Sequence, residues 1–160
     1  MDLIRYILIL SIIISCNNTT KNIKDNEWVS LTDGKTFNNW HTYLSDSVKG
    51  WTIENGVYTL NPGTGSSNNG LVSNKSYTNF ILSVEWKVDK DGNSGIFWGV
   101  KEGDGYKTPY QTGPEIQVLD NERHPDSFVK PNFHQAGALY DMVQPSMDVC
   151  KPAGEWNHVF

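Results

Sequence analysis

Cysteine is nearly absent from this chain: Cys16 and Cys150 are its only two. That excludes a disulfide framework as the source of stability. Long apolar runs are missing as well. The main one, Tyr6 to Ile14, falls well short of the ~20 residues that span a bilayer. Basic clusters are lacking. Lys and Arg total 13 against 18 Asp and Glu, a net charge of −5. Phosphate binding needs grouped Lys and Arg, so nucleic acid is excluded as a partner. A neutral polyhydroxylated ligand is indifferent to that sign. No helix-length amphipathic segment follows the N-terminal run, and no repeat of roughly 20–50 residues is found. Helical bundles and solenoids are thereby excluded.

What the chain does contain is aromatic and glycine residues. It has six Trp, seven Tyr, six Phe, 14 Gly and seven Pro in 160 residues. Such a mixture suits short strands joined by turns, in one domain large enough to bury a core. The N-terminal apolar run follows Arg5 and ends in Ile13-Ile14-Ser15-Cys16. This resembles the bacterial lipobox, in which cleavage precedes the Cys and its thiol is acylated. The expected organisation is a signal peptide at 1–15, a flexible polar tether at 16–26 behind lipidated Cys16, and a folded domain at 27–160. A lipid anchor in the bacterial cell envelope follows from that reading. Cys150, left alone before Lys151-Pro152, reads as an incidental thiol.

Strand signals begin with Trp51–Glu54, Asn55-Gly56 and Val57–Leu60. Asn-Gly between two such runs predicts a hairpin with a type I′ turn. Residues 61–70 read as a loop, and Leu71–Ser73 as a further strand. From Phe80 to Val88, apolar Phe80, Leu82, Val84, Trp86 and Val88 alternate with a mixed face carrying Glu85. That alternation predicts one long strand whose first set faces a core. Asp89–Asn93 reads as a tight turn, Ile96–Trp98 and Glu115–Asp120 as strands. Gly154–Phe160 looks like a strand in which the polypeptide stops, so the domain is expected to be incomplete at its C-terminus. Successive strands with irregular loops predict an all-β antiparallel sandwich.

Several phrases occur in order: Trp51–Gly56, Phe80–Val88, Asn93–Phe97, Glu115–Asn121, His124–Asp126, Ala136–Asp141 and Gly154–Asn157. Together they resemble the 3-keto-disaccharide hydrolase family over about residues 27–160. The resemblance implies a concanavalin A-like jelly roll and a glycoside substrate oxidised at C3. Many members carry an Arg after the Gly-Ile-aromatic-aromatic strand; here that position is Gly99.

Glu115-x-Gln117-x-x-Asp120 is the most informative constellation. In a strand Glu115 and Gln117 face outward, and a bulge after Gln117 would bring Asp120 to the same face. The spacing is like the acidic strand motif of laminarinase-type glucanases. Gln117 cannot act as acid or base, and Asp120 is one methylene short of Glu. Both facts argue against retaining hydrolysis, which wants carboxyls about 5–5.5 Å apart. His134 and His124 follow in loops, where site residues gather. The expected site therefore has Glu115 and His134 as base or divalent-metal ligands and Asp120 as an orienting group. Gln117, Glu85, Trp98, Asn93 and His124 are candidate sugar contacts. The function that results is cleavage of 3-keto-glycosides by proton abstraction, enolate stabilisation and loss of the C1 substituent. Alternatives are a lectin-like binding module and a laminarinase-type glycosidase.

The lipidation reading yields a direct expectation. Intact-mass analysis of membrane-extracted protein should show residues 1–15 removed and acyl mass on Cys16. Cys16→Ala should release the protein from membranes, and retention at wild-type levels would refute the assignment.

Overall fold

A computed structural model describes residues 28–61, 69–103 and 105–160. The expected signal peptide, Cys16 and the tether lie outside the described residues, as does most of the 61–70 loop. The chain divides into two units, 1–30 and 31–160, and the second is described below.

The architecture is the antiparallel all-β one that the sequence pattern demands. The strands are β1 (Trp40–Thr42), β2 (Trp51–Glu54), β3 (Val57–Leu60), β4 (Leu71–Ser73), β5 (Val84–Trp86), β6 (Asn93–Phe97), β7 (Glu115–Leu119) and β8 (Asn157–Val159). Among the described residues, helix is confined to 3-10 turns at Pro109–Gln111 and Pro125–Phe128. The strands pair as β1 with β4, β2 with β3, β5 with β8 and β6 with β7, every pair antiparallel.

The β2–β3 hairpin is as predicted. Asn55 and Gly56 both have positive φ, 52° and 81°, which the type I′ turn requires. Strand β1 carries no clear signal of its own, and its pairing with β4 is non-local. The final expected strand is present as β8, and Trp86 pairs with Asn157 across it.

The long strand expected over Phe80–Val88 requires correction. Only Val84–Trp86 is paired. Burial does alternate from Leu82 to Val88, but these residues are half-buried rather than enclosed. Phe80, expected in the core, is 51% exposed. The reason is an open apolar groove of about 390 Å³, lined by Phe80, Leu82, Ile96, Trp98, Ile116 and Phe160 among others. Nothing among the described residues covers this face.

The Asp89–Gly92 turn forms as expected, closed by Gly92 N–H donating to Asp89 O at 2.9 Å. Burial is deepest along β7 and the segment that follows it. Val118, Leu119, Ala136 and Ala138 are buried there, and Tyr43 is buried as well. Cys150 packs its thiol near the carbonyls of Leu119 and Lys151. Burial, then the Asp148 and Asp120 carboxylates, push that thiol up to about 11, so it is inert as a nucleophile.

A polar clamp ties distant segments together at β1. His41 Nε2 lies 2.7 Å from Glu102 Oε2, and His41 Nδ1 lies 2.6 Å from Asn74 Oδ1. Asn74 Nδ2 donates to Asn38 O, which fixes the amide orientation and leaves its oxygen facing the ring. Both ring nitrogens therefore face acceptors, and only the doubly protonated imidazole satisfies both. Burial opposes that charge, but the bonds to Glu102 and Asn74 and the charges of Glu102 and Asp46 raise the His41 pKa overall. A raised histidine pKa gives stability present below the unfolded value and lost as pH rises through the folded one. Denaturant midpoints of wild type and His41→Ala should thus differ most below the ordinary histidine value of 6.5 and less as pH rises through the raised folded value. The expected difference is about 1 kcal/mol or less for a partly exposed pair.

Candidate active site

Strand β7 is held on both edges. On one side lies β6, with Gly95 opposite Gln117, Ile96 opposite Ile116 and Phe97 opposite Glu115. On the other, the segment 137–140 runs along it. Gln117 N–H donates to Ala138 O, Gly137 N–H to Gln117 O and Tyr140 N–H to Glu115 O, each at 2.9 Å. Gly137 has φ 86°, a conformation that Gly adopts without strain. This pairing carries His134, Tyr140 and Asp141 to the Glu115 end of β7.

Directly opposite residues in an antiparallel pair share a face. Ile96 and Ile116 point into the apolar groove, while Gly95, Gln117 and Glu115 point to the other side. Glu115 lies across Gly95: a Cβ built at Gly95 would collide with Glu115 Oε1. Burial, and then the nearby Asp126 carboxylate, push the Glu115 carboxyl up to about 7. A carboxyl poised there exchanges protons readily near neutral pH.

His134 is 8% exposed and sits beside this carboxyl group's neighbour. Its Nδ1 lies 2.9 Å from Asp126 Oδ1. Tyr140 O–H donates to Asp126 Oδ2 at 2.9 Å, and its ring stacks on the imidazole with centroids 4.3 Å apart. His134 Nε2 faces Asp141 Oδ1 at a longer 3.4 Å. Lys130 Nζ holds that same oxygen at 2.6 Å and keeps the Asp141 pKa low, with His134 contributing. Tyr140 is pushed up to about 12 by burial, then by its bond to Asp126 and by surrounding carboxylates. Its hydroxyl therefore stays protonated and serves as a donor. The cluster thus comprises Glu115, Asp126, Lys130, His134, Tyr140 and Asp141.

Of the residues expected from sequence, Glu115 and His134 are in this cluster. The others are placed elsewhere. Gln117 was expected on an open face, but the 137–140 segment covers it. It is 1% exposed, and its side-chain oxygen accepts from Val118 N–H. Asp120 is buried in a turn. Its carboxylate accepts from the N–H groups of Asp91 and Glu122 and from Arg123. Burial raises its pKa, yet those donors outweigh it and lower the value overall. Asp120 therefore locks two turns together. His124 caps the Pro125–Phe128 turn through Nδ1 accepting from Asp126 N–H. Glu85 is exposed on β5, opposite His158. Asn93 is exposed at the start of β6, and Trp98 lines the groove behind the ladder. Among the described residues, none of these six bonds to the Glu115 or His134 side chain. Nor do the described residues hold a group of three or more His, Cys, Asp or Glu arranged for a metal ion. The expected Glu115–His134 metal pair is not assembled as such a donor set. Asp126, Tyr140, Asp141 and Lys130 carried no role in the sequence reading.

A family model for the 3-keto-alpha-glucoside-1,2-lyase-like domain matches residues 27–160. The chain belongs to this family. It is 42% identical over 145 residues to a 3-keto-disaccharide hydrolase of Bacteroides thetaiotaomicron, covering 81% of this chain and 50% of that protein. It therefore spans about half the length of that curated relative. A presumed glycosyl hydrolase of Parabacteroides distasonis ATCC 8503 shares the fold with a TM-score of 0.73 at 34% identity, over 81% of this chain and 60% of that one. A second such protein of the same organism aligns with a TM-score of 0.58 at 25% identity, over 81% of this chain and 50% of its own. The family resemblance expected from the ordered phrases is confirmed.

The packing of Glu115 on Gly95 has a measurable consequence. Gly95→Ala should push the carboxyl off β6 toward water, because the clashing atoms are the flexible end of a side chain. The fold should survive with a loss under about 1 kcal/mol, below the usual range for overpacking. The Glu115 carboxyl, followed by carbon-13 NMR, should then titrate nearer the ordinary carboxylate range. An unmoved midpoint near 7 would reject this placement.

Proposed function

We propose that this protein is an enzyme that cleaves 3-keto-glycosides by elimination across C1 and C2. The carrying observation is the Glu115 carboxyl, half-buried over Gly95 and raised to about 7 beside the Asp126–His134 pair. A C3 ketone acidifies the C2 proton, and a carboxylate tuned to neutrality is a suitable base for removing it. The named activity of the B. thetaiotaomicron relative supports the same substrate class.

In this reading Glu115 takes the C2 proton. The electron pair of that C–H bond moves into an enolate whose charge rests on the C3 oxygen. The enolate re-forms the ketone as the C1–oxygen bond breaks. The leaving oxygen takes a proton from Nε2 of the doubly protonated His134, whose Nδ1–H stays on Asp126, and Glu115 keeps the proton from C2. Water later adds to C1 and loses its proton to His134 Nε2 while Glu115 returns its proton to C2, which gives the free 3-keto sugar and restores both groups. Asp126 holds the imidazole throughout, and Lys130 holds Asp141 so that it does not close over Nε2. A classical retaining mechanism is disfavoured here, because Gln117 and Asp120 are enclosed rather than paired with Glu115. The Ile13–Cys16 lipobox adds the expectation that the enzyme works at the cell envelope on a lipid anchor.

Product formation from a 3-keto-disaccharide tests this reading. Glu115→Gln preserves shape and removes the base, so the rate should fall by about 10²–10⁴-fold with melting curves matched. Because the base must be ionised, wild-type activity should decline as pH drops through about 7, and the variant should lack that limb. Equal rates in the two proteins would reject Glu115 as the base. Binding without turnover in wild type would favour a lectin-like module.

A further inference from the structure

We infer that Tyr140 is a positioning residue that fixes which nitrogen of His134 carries its permanent proton. The inference rests on the function proposed above in taking His134 as the proton donor, but its structural part stands independently. Two oxygens of one carboxylate are divided between two donors. Tyr140 O–H occupies Asp126 Oδ2, and Asp126 Oδ1 is left facing His134 Nδ1, both at 2.9 Å. A ring nitrogen at that distance from a carboxylate oxygen must carry hydrogen, since two lone pairs would repel. The Tyr140 hydroxyl is also 3.3 Å from His134 Nδ1, too committed to Asp126 to donate there as well. Nδ1–H is thus fixed, and Nε2 is the nitrogen left to exchange protons.

The same residue sets the ring plane. Tyr140 stacks on the imidazole with an interplanar angle of 18°. Its backbone N–H donates to Glu115 O. One residue therefore touches the base's strand, the histidine's ring and the histidine's carboxylate partner. Lys130 completes the arrangement from the far side. By holding Asp141 Oδ1 at 2.6 Å it leaves Nε2 with only a 3.4 Å contact, which a substrate oxygen can replace. Positioning of a histidine through its second nitrogen is a known determinant of its proton-transfer role.

Tyr140→Phe is the decisive substitution, because it keeps the ring and removes only the hydroxyl. Nitrogen-15 NMR of the imidazoles at fixed pH should show a protonated Nδ1 on wild-type His134, with a resolved, slowly exchanging proton. In Tyr140→Phe that proton should exchange at least about tenfold faster, and Asp126→Ala should shift the ring to the Nε2–H tautomer. Turnover of a 3-keto-disaccharide should fall about tenfold in kcat for Tyr140→Phe, the scale for losing an outer positioning partner, with KM within about twofold. Tyr140→Leu, which also removes the stacking ring, should lose more. An Nε2–H tautomer in wild type would overturn the inference. So would an Nδ1 proton equally protected in Tyr140→Phe. If wild type turns over no 3-keto-glycoside, the proposed function fails, while the NMR signals still decide the role of Tyr140.

Discussion

The pairing of residues 137–140 along the outer edge of β7 is the constraint on which the site depends. An edge strand presents unpaired N–H and C=O groups that must find partners or water. Here three backbone bonds to Gln117 and Glu115 fill them. A loop spent in this way cannot lie elsewhere, so the residues just before and after it are delivered to fixed places. His134, Tyr140 and Asp141 arrive together, the two rings stacked and Nε2 beside the Asp141 carboxylate. Nothing in the composition of the loop is acidic or basic enough to organise a site by charge alone. The backbone bonds do that, and the side chains then find each other at hydrogen-bond distance.

That delivery has an electrostatic cost, which the cluster turns to use. Glu115 approaches Asp126 in a partly buried region with Asp141 close by, and the Asp126 charge raises the Glu115 pKa. Three cationic or donor groups offset the crowding. Lys130 takes Asp141, and Tyr140 together with His134 takes Asp126. Among the described residues no such donor meets the Glu115 side chain, so desolvation and the remaining repulsion fall on it. Its raised pKa is the remainder left after the neighbours are satisfied. The acid–base character of the site is therefore a property of the arrangement, not of Glu115 alone.

Much of the fold was legible in the sequence, and the pattern of success follows from range. The Asn55-Gly56 hairpin, the turn before Asn93 and strand β7 are local signals, set by turn chemistry and alternation. The long Phe80–Val88 strand was overread because alternation reports which side chains share a face, not whether a partner strand lies alongside. Only Val84–Trp86 has one, from β8, far along the chain. At the site, Glu115 and His134 were legible as titratable groups at a strand and in a following loop. Asp126, Tyr140, Asp141 and Lys130 were not. Their contacts span separations of six to 14 residues through irregular backbone, which leaves no period to detect. Asp120 and His124 misled for the opposite reason. Carboxylates and imidazoles that satisfy turn N–H groups look, in sequence, the same as those that carry chemistry.

One two-stranded ladder serves both halves of the molecule's chemistry. On the β6–β7 pair, Ile96 and Ile116 face the apolar groove, and Glu115 with Gly95 faces the charged cluster. A strand's period of two makes this separation obligatory: a slip of one residue would turn the carboxyl into the groove and the isoleucines into the site. Gly95 is what lets the polar face work at this width. Any side chain there would occupy the space across which Glu115 lies, so this placement of the carboxyl needs a residue without Cβ at that register even though no unusual φ is required. The apolar face in turn needs Ile116 to be flanked by residues that can be satisfied without it. Gln117 meets that need by turning its side-chain oxygen back onto Val118 N–H beneath the 137–140 segment. Register, the missing Cβ and the folded-over amide are three solutions to one problem: keeping an ionisable group and an apolar groove on opposite sides of two strands.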